Sequence, residues 1–148
     1  MKYTAKAISK LQNLLERTYE AEKGFKSASE NTANVFLAKY FERKSIERCN
    51  FGEELNKEMK LFDIELGKVL ELEVAIHRAW LDMKELFELQ DGAEMLEKVL
   101  QAEKAAIEEY KEILHEASLP FVTHTILLKQ KEAIETDLRT IKSLDDLK

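Results

Sequence analysis

Apolar residues recur along this 148-residue chain in heptad-spaced stripes, a spacing that restricts the fold to packed helices. Leu11, Leu15, Thr18, Glu22, Phe25 and Ser29 share one helix face. Leu96, Leu100, Glu103, Ile107, Tyr110 and Leu114 share a second, and Leu127, Gln130, Ile134, Leu138 and Ile141 a third. A less regular stripe holds Phe36, Tyr40, Phe51 and Leu55, widened by Ile46 and Cys49. A shorter one holds Val69, Glu73, Ile76, Trp80, Met83 and Phe87. No segment alternates long enough to make a strand, and four glycines and one proline are too few for many turns. The pattern predicts one all-α domain over residues 1–148.

Punctuation divides the stripes into helices. The first is expected over about residues 4–29, followed by a tight turn at Asn31 and Thr32, either of which can cap the next helix. The second is expected over about residues 33–62, roughly 45 Å at 1.5 Å per residue. Gly52 falls inside it at a cost of about 1 kcal/mol relative to Ala. Either a close helix contact compensates or the glycine sits on the surface. Gly67 marks a break before a short, broadly apolar helix. Asp91 and Glu94 form a helix-start signature, and the helix they open is expected to end near Ser118. Pro120 opens the last helix, which runs to about Ser143, and the tail 145–148 is expected to fray. Short links join the first two and the last two long helices, whereas a long connection joins the pairs. That order predicts a ferritin-like four-helix bundle with a long crossover containing a fifth, shorter helix.

Charge narrows the partners. A formal net charge of -6 argues against nucleic acid, which needs a basic surface. Lys39, Arg43, Lys44 and Arg48 come nearest to a basic cluster, but acidic residues flank them and the reading is a solvated helix face. Cys49 is the single cysteine, so an internal disulfide is excluded and a small buried or half-buried thiol is expected. The start MKYTAKAISKLQNLL has no continuous apolar run, so no signal peptide is expected, and no stretch is apolar enough to span a membrane. The cytoplasm is the expected compartment.

Glu22, Glu103 and Gln130 stand on core lines where a polar group costs free energy unless it is paired or binds something. Two-metal sites in helical bundles take a Glu from each of two helices and Glu-x-x-His from each of the other two. Glu22 and Glu103 fit the single-Glu roles, and Tyr110, two turns after Glu103, is placed to donate to an inner carboxylate. Glu47, Asn50 and Glu53 have the required spacing, with Asn where the histidine should be. Gln130 is flanked by Glu132 and Glu135, again without histidine. The only Glu-x-x-His, Glu112 to His115, lies off the apolar stripe. Glu22, Glu47, Asn50, Glu53, Glu103 and Gln130 thus form a depleted metal set, with iron or manganese as the candidate cation. One weak cation on Glu22, Glu47 and Glu103, a protonated carboxyl, a buried water network or a metal-free polar core are the alternatives for the same residues.

Four segments carry a family resemblance. They are Tyr19-Glu20-Ala21-Glu22-Lys23-Gly24-Phe25, Arg48-Cys49-Asn50-Phe51-Gly52-Glu53-Glu54-Leu55, His77-Arg78-Ala79-Trp80-Leu81-Asp82-Met83-Lys84, and the run from Glu103 to Tyr110. Together they resemble the PA2169-type four-helix-bundle family, uncharacterised bacterial proteins also called DUF2383. The resemblance implies a ferritin-like bundle and carries no activity. His77, with Arg78 and Trp80, either anchors the crossover helix or lines a pocket beneath it, to which Tyr110 belongs. His124 reads as a surface or capping residue.

The expected function is non-enzymatic, with a structural, stress-related or partner-binding role. An apolar strip on the second or crossover helix would serve a homodimer or another protein partner. The alternatives are a divergent carboxylate-bridged metal protein or oxidase, and a small-ligand scaffold beneath Trp80.

Overall fold

The computed structural model describes residues 4–61, 91–115 and 119–148. Among the described residues there are four α-helices: α1 over Ala5–Asn31, α2 over Val35–Leu61, α3 over Gly92–Leu114 and α4 over Phe121–Thr140. Side chains set their starts. The Thr4 hydroxyl accepts from the Ala7 N–H at 3.1 Å, and the Asp91 carboxylate from the Ala93 N–H at 3.0 Å. The cap of α2 is Asn34, not Asn31 or Thr32: its Oδ1 accepts from the N–H groups of Phe36 and Leu37 at 2.9 and 3.0 Å. Thr32 instead holds the turn by accepting from the Asn34 N–H, and α1 runs on to Asn31. Helix α3 stops at Leu114, short of the expected 118.

The tail does not fray. Residues Leu144–Leu147 form a 3-10 turn in which Ser143 and Asp146 cap one another, with the Asp146 carboxylate accepting the Ser143 N–H at 3.1 Å. Leu144 and Leu147 then pack against the core, which supplies the apolar burial that a free tail lacks.

Cross-helix contacts fix the topology. The Ser45 hydroxyl on α2 donates to the Glu22 carbonyl on α1, and further along the same pair Gly52 faces Tyr19. A Cβ at Gly52 would lie 2.9 Å from Cε1 of Tyr19, so the glycine serves a close helix contact. Lys10 and Arg17 on α1 pair with Glu112 and Glu109 on α3. Tyr110 on α3 meets Gln130 on α4, and Lys44 on α2 meets Asp137 on α4. Each of these neighbouring pairs runs antiparallel, so α2 and α3 run parallel. Gly92 at the start of α3 sits against Leu37 and Asn34 at the start of α2, whereas Leu61 ends α2 at the far end of the bundle. The end of α2 and the start of α3 therefore lie at opposite ends of the bundle. The expected crossover helix, with Gly67, His77 and Trp80, lies outside the described residues. The architecture is the all-α four-helix bundle anticipated from the stripes.

Among the described residues, the apolar core is divided in two. One half contains Leu11, Leu14, Leu15, Leu55, Met59, Ile107, Ile113, Leu127 and Ile134. The other contains Phe25, Ala28, Leu37, Phe41, Leu96, Val99 and Ile141. Truncating a large side chain in either half would cost about 2–5 kcal/mol, because interiors are close-packed and collapse only partly. Helix α2 buries Tyr40 and Leu55 of the expected stripe, with Phe51 packed against the core, but its inward face is rotated away from Phe36 and Ile46. Phe36 and Ile46 are 43% and 56% exposed, while Leu37, Phe41, Lys44, Arg48, Leu55 and Met59 are buried. The basic residues read as a solvated face thus include two that point into the interior, between the two apolar halves.

Candidate functional site: a charged layer in the bundle interior

Lys44 and Arg48 are one helical turn apart, so both side chains leave the same face of α2. The Lys44 side chain is fully buried. Its Nζ donates to Glu47 Oε1 at 2.7 Å and to Asp137 Oδ2 at 2.9 Å, and lies 3.1 Å from Glu103 Oε2. The last contact is an ion pair without hydrogen-bond alignment, which leaves Glu103 Oε2 buried and without a donor. Arg48 donates through one terminal nitrogen to Glu47 Oε1 at 2.7 Å and through the other to Glu103 Oε1. Its guanidinium also lies over the rings of Phe25 and Phe51, at 5.6 and 5.8 Å from their centroids. At the rim, Arg43 reaches Asp137 Oδ2 at 3.2 Å and stacks over Tyr40. The layer therefore sets three cations on α2 against carboxylates from α2, α3 and α4, and its formal charges cancel.

Electrostatics follow the geometry. Burial pushes the Asp137 carboxyl up, but Lys44 and Arg43 outweigh it and hold the group below the usual aspartate range. Burial also raises the Tyr40 phenol, and the neighbouring Glu103 and Asp137 carboxylates push it further, so it stays protonated. A buried charge is costly unless paired and hydrogen-bonded; Glu103, 4% exposed, is hydrogen-bonded at Oε1 by Arg48, while its Oε2 has the Lys44 ion pair without a hydrogen bond.

A second polar group lies one layer away. Tyr110 donates to Gln130 Oε1 at 2.7 Å, and the Gln130 amide donates to Glu54 Oε1 at 3.0 Å and to the Phe51 carbonyl at 3.3 Å. Gln130 is on the core line as expected, but the partner of Tyr110 is this amide and not an inner carboxylate. The phenol is raised chiefly by burial.

Of the six candidate metal ligands, the structure brings Glu47 and Glu103 together in this layer, and Glu22 and Glu53 separately beside Cys49. Glu22 is half-buried on the outer side of the α1–α2 seam, beside Cys49, and Asn50 and Glu53 are exposed. Gln130 belongs to the separate tyrosine network. The Cys49 thiol is half-buried and pushed up to about 11, first by its hydrogen bond with Glu22, then by burial and the Glu22 and Glu53 charges. Glu112 is bound by Lys10, and His115 is exposed. Among the described residues, no group of three or more His, Cys, Asp or Glu is arranged to hold a metal ion. An ammonium and a guanidinium, which have no lone pair to give, sit between the converging carboxylates. These residues do not fit an iron or manganese pair. Sequence reasoning missed Lys44, Arg48 and Asp137 because it admitted carboxylates and amides to the core stripes of α1, α3 and α4 but no basic residue to that of α2. The signal was the run Leu37, Phe41, Lys44, Arg48, Leu55 and Met59, whose spacing is heptad-like once basic residues are admitted.

A groove of about 360 Å³ opens between α1 and α3 beside this layer. Leu14, Ala21, Phe25, Val99, Ala102 and Ala106 line its walls, and Arg48 and Glu103 also border it.

The fold and site define a class: a four-helix bundle whose interior is closed by ion pairs between helices. No helix among the described residues is long and apolar enough to cross a membrane. Residues 6–116 match the family model described as a domain of unknown function, DUF2383, and the chain belongs to that family. No curated protein and no solved structure matches the chain.

Proposed function

We propose that the chain is a non-enzymatic helical bundle with a structural and partner-binding role, complete without metal. The observation that carries this reading is the fully buried Lys44 ammonium between Glu47, Glu103 and Asp137. A cation built into the chain neutralises the carboxylates that a metal centre would otherwise need. The α1–α3 groove, with its alanine-rich walls, supports the partner-binding half of the proposal, because small residues let an apolar segment approach closely.

The test is elemental analysis of untagged protein purified without chelator, then titration with manganese and ferrous iron while thermal unfolding is followed. Metal well below stoichiometry and an unchanged unfolding temperature are expected. Stoichiometric metal that disappears in Glu103→Ala would overturn the reading in favour of a divergent metal protein, and oxygen consumption would be the next assay.

A further inference from the structure

The contacts around Lys44 Nζ have the form of a binding site that already holds its ligand. Three carboxylate oxygens from three helices surround one nitrogen at 2.7, 2.9 and 3.1 Å. The first two match charge-assisted N–H···O bonds, about 2.7–2.9 Å, and the third is an ion-pair contact just beyond that range. All three are longer than the roughly 2.0–2.1 Å that Mg²⁺ requires or the roughly 2.3–2.6 Å of Ca²⁺. The third oxygen, Glu103 Oε2, is on a side chain only 5% exposed and has no hydrogen-bond donor, although it faces the nitrogen. Charge selects the same occupant. Without Lys44, the carboxylates of Glu47, Glu103 and Asp137 face only Arg43 and Arg48, leaving one net negative charge. One monocation restores neutrality, whereas a dication overshoots.

We infer that Glu47, Glu103 and Asp137 form a primary-ammonium site, filled in this chain by its own Lys44, that accepts a free alkylammonium ion when the side chain is truncated. The inference rests on the metal-independent reading above. The stem matters as well as the head. Lys44→Ala removes three methylenes and the ammonium, which n-propylammonium replaces atom for atom. The buried channel left by the stem disfavours shorter, more hydrated cations.

The test is equilibrium urea unfolding of full-length Lys44→Ala in n-propylammonium chloride, with sodium chloride of equal ionic strength and 1-propanol as controls. Samples are refolded in each solution, so that the amine enters as the bundle closes. The unfolding midpoint should rise with amine concentration and with neither control. At ten times the dissociation constant, the folded-to-unfolded ratio should rise about elevenfold. Wild type should not respond. The double variant Lys44→Ala/Glu103→Gln, in which one cage carboxylate is neutralised, should fold without the amine and ignore it. Equal responses to amine and sodium, a response retained in the double variant, or Lys44→Ala that stays unfolded in every solution would overturn the inference. Stabilisation of Lys44→Ala by manganese but not by amine would also overturn it. None of these results bears on metal in the wild-type chain, which the titration above decides separately.

Discussion

Removing the Arg48 guanidinium and the Glu103 carboxylate together should cost much less than the sum of removing each alone. Arg48→Met leaves Glu47, Glu103 and Asp137 facing Arg43 and Lys44, one negative charge in excess. Glu103→Leu leaves the three cations facing two carboxylates, one positive charge in excess. An uncompensated charge in a site this buried costs about 3–5 kcal/mol. The Arg48 variant also loses its contacts with the rings of Phe25 and Phe51, worth about 0.5–2 kcal/mol each, part of which a methionine sulfur recovers. In the double variant, Arg43 and Lys44 balance Glu47 and Asp137, and apolar side chains fill the space. The double should therefore lie within about 2 kcal/mol of wild type, because a buried pair often breaks even against apolar packing. The assay is a double-mutant cycle by urea unfolding, followed by helical circular dichroism. At an m-value of about 2 kcal/mol/M, each single variant should lower the midpoint by about 1.5–2.5 M, and the double by no more than about 1 M. Additive losses, or single variants costing under about 1 kcal/mol as surface pairs do, would refute the reasoning.

Three other outcomes follow from the described contacts. Asp137 has a depressed folded-state value, so between that value and the unfolded one, about 3.9, the unfolded chain binds the extra proton and stability rises with pH. Wild type should lose stability as pH falls below about 4, with a flatter loss in Asp137→Asn, read from unfolding midpoints across acid pH. Cys49 should react slowly with Ellman's reagent near neutrality, because its thiol is held up to about 11, and Glu22→Gln/Glu53→Gln should speed the reaction; an unchanged rate would remove the two carboxylates as the cause. Asn34→Ala removes the two capping hydrogen bonds that start α2 and should cost about 1 kcal/mol, measured as a lower midpoint, whereas Asn34→Ser should retain most of that stability.

How legible the molecule was depended on where each side chain finds its partner. Helices α1, α3 and α4 announce themselves because Leu11, Leu15, Phe25, Leu96, Ile107, Leu127 and Ile134 recur at heptad spacing and are buried in the structure. Glu103 and Gln130 were rightly placed on core lines for the same reason. On helix α2 the stripe holds at Tyr40 and Leu55 but omits Lys44 and Arg48, because their burial is decided by carboxylates on α3 and α4, far away in sequence, and no local window contains that information. Glu22 shows the opposite error. A straight helix drifts by about 20° per heptad from a seven-residue repeat, so the stripe through Leu11 and Leu15 carries Ala28 inward and leaves Ser29 and Glu22 at the margin. The tail was misjudged because Leu144 and Leu147 find apolar partners only once the bundle has formed.

The placement of charge between two oily compartments also acts as an index mark for assembly. Apolar halves alone are permissive, since leucines and isoleucines on neighbouring helices can mesh in several offsets. A one-heptad slide of α2 would shift Lys44 and Arg48 by about 10 Å and drive them among leucines, while Glu103 and Asp137 would face aliphatic carbon. Only one offset lets every charge find its opposite, so this bundle rejects near-miss alignments by making them ionically bankrupt.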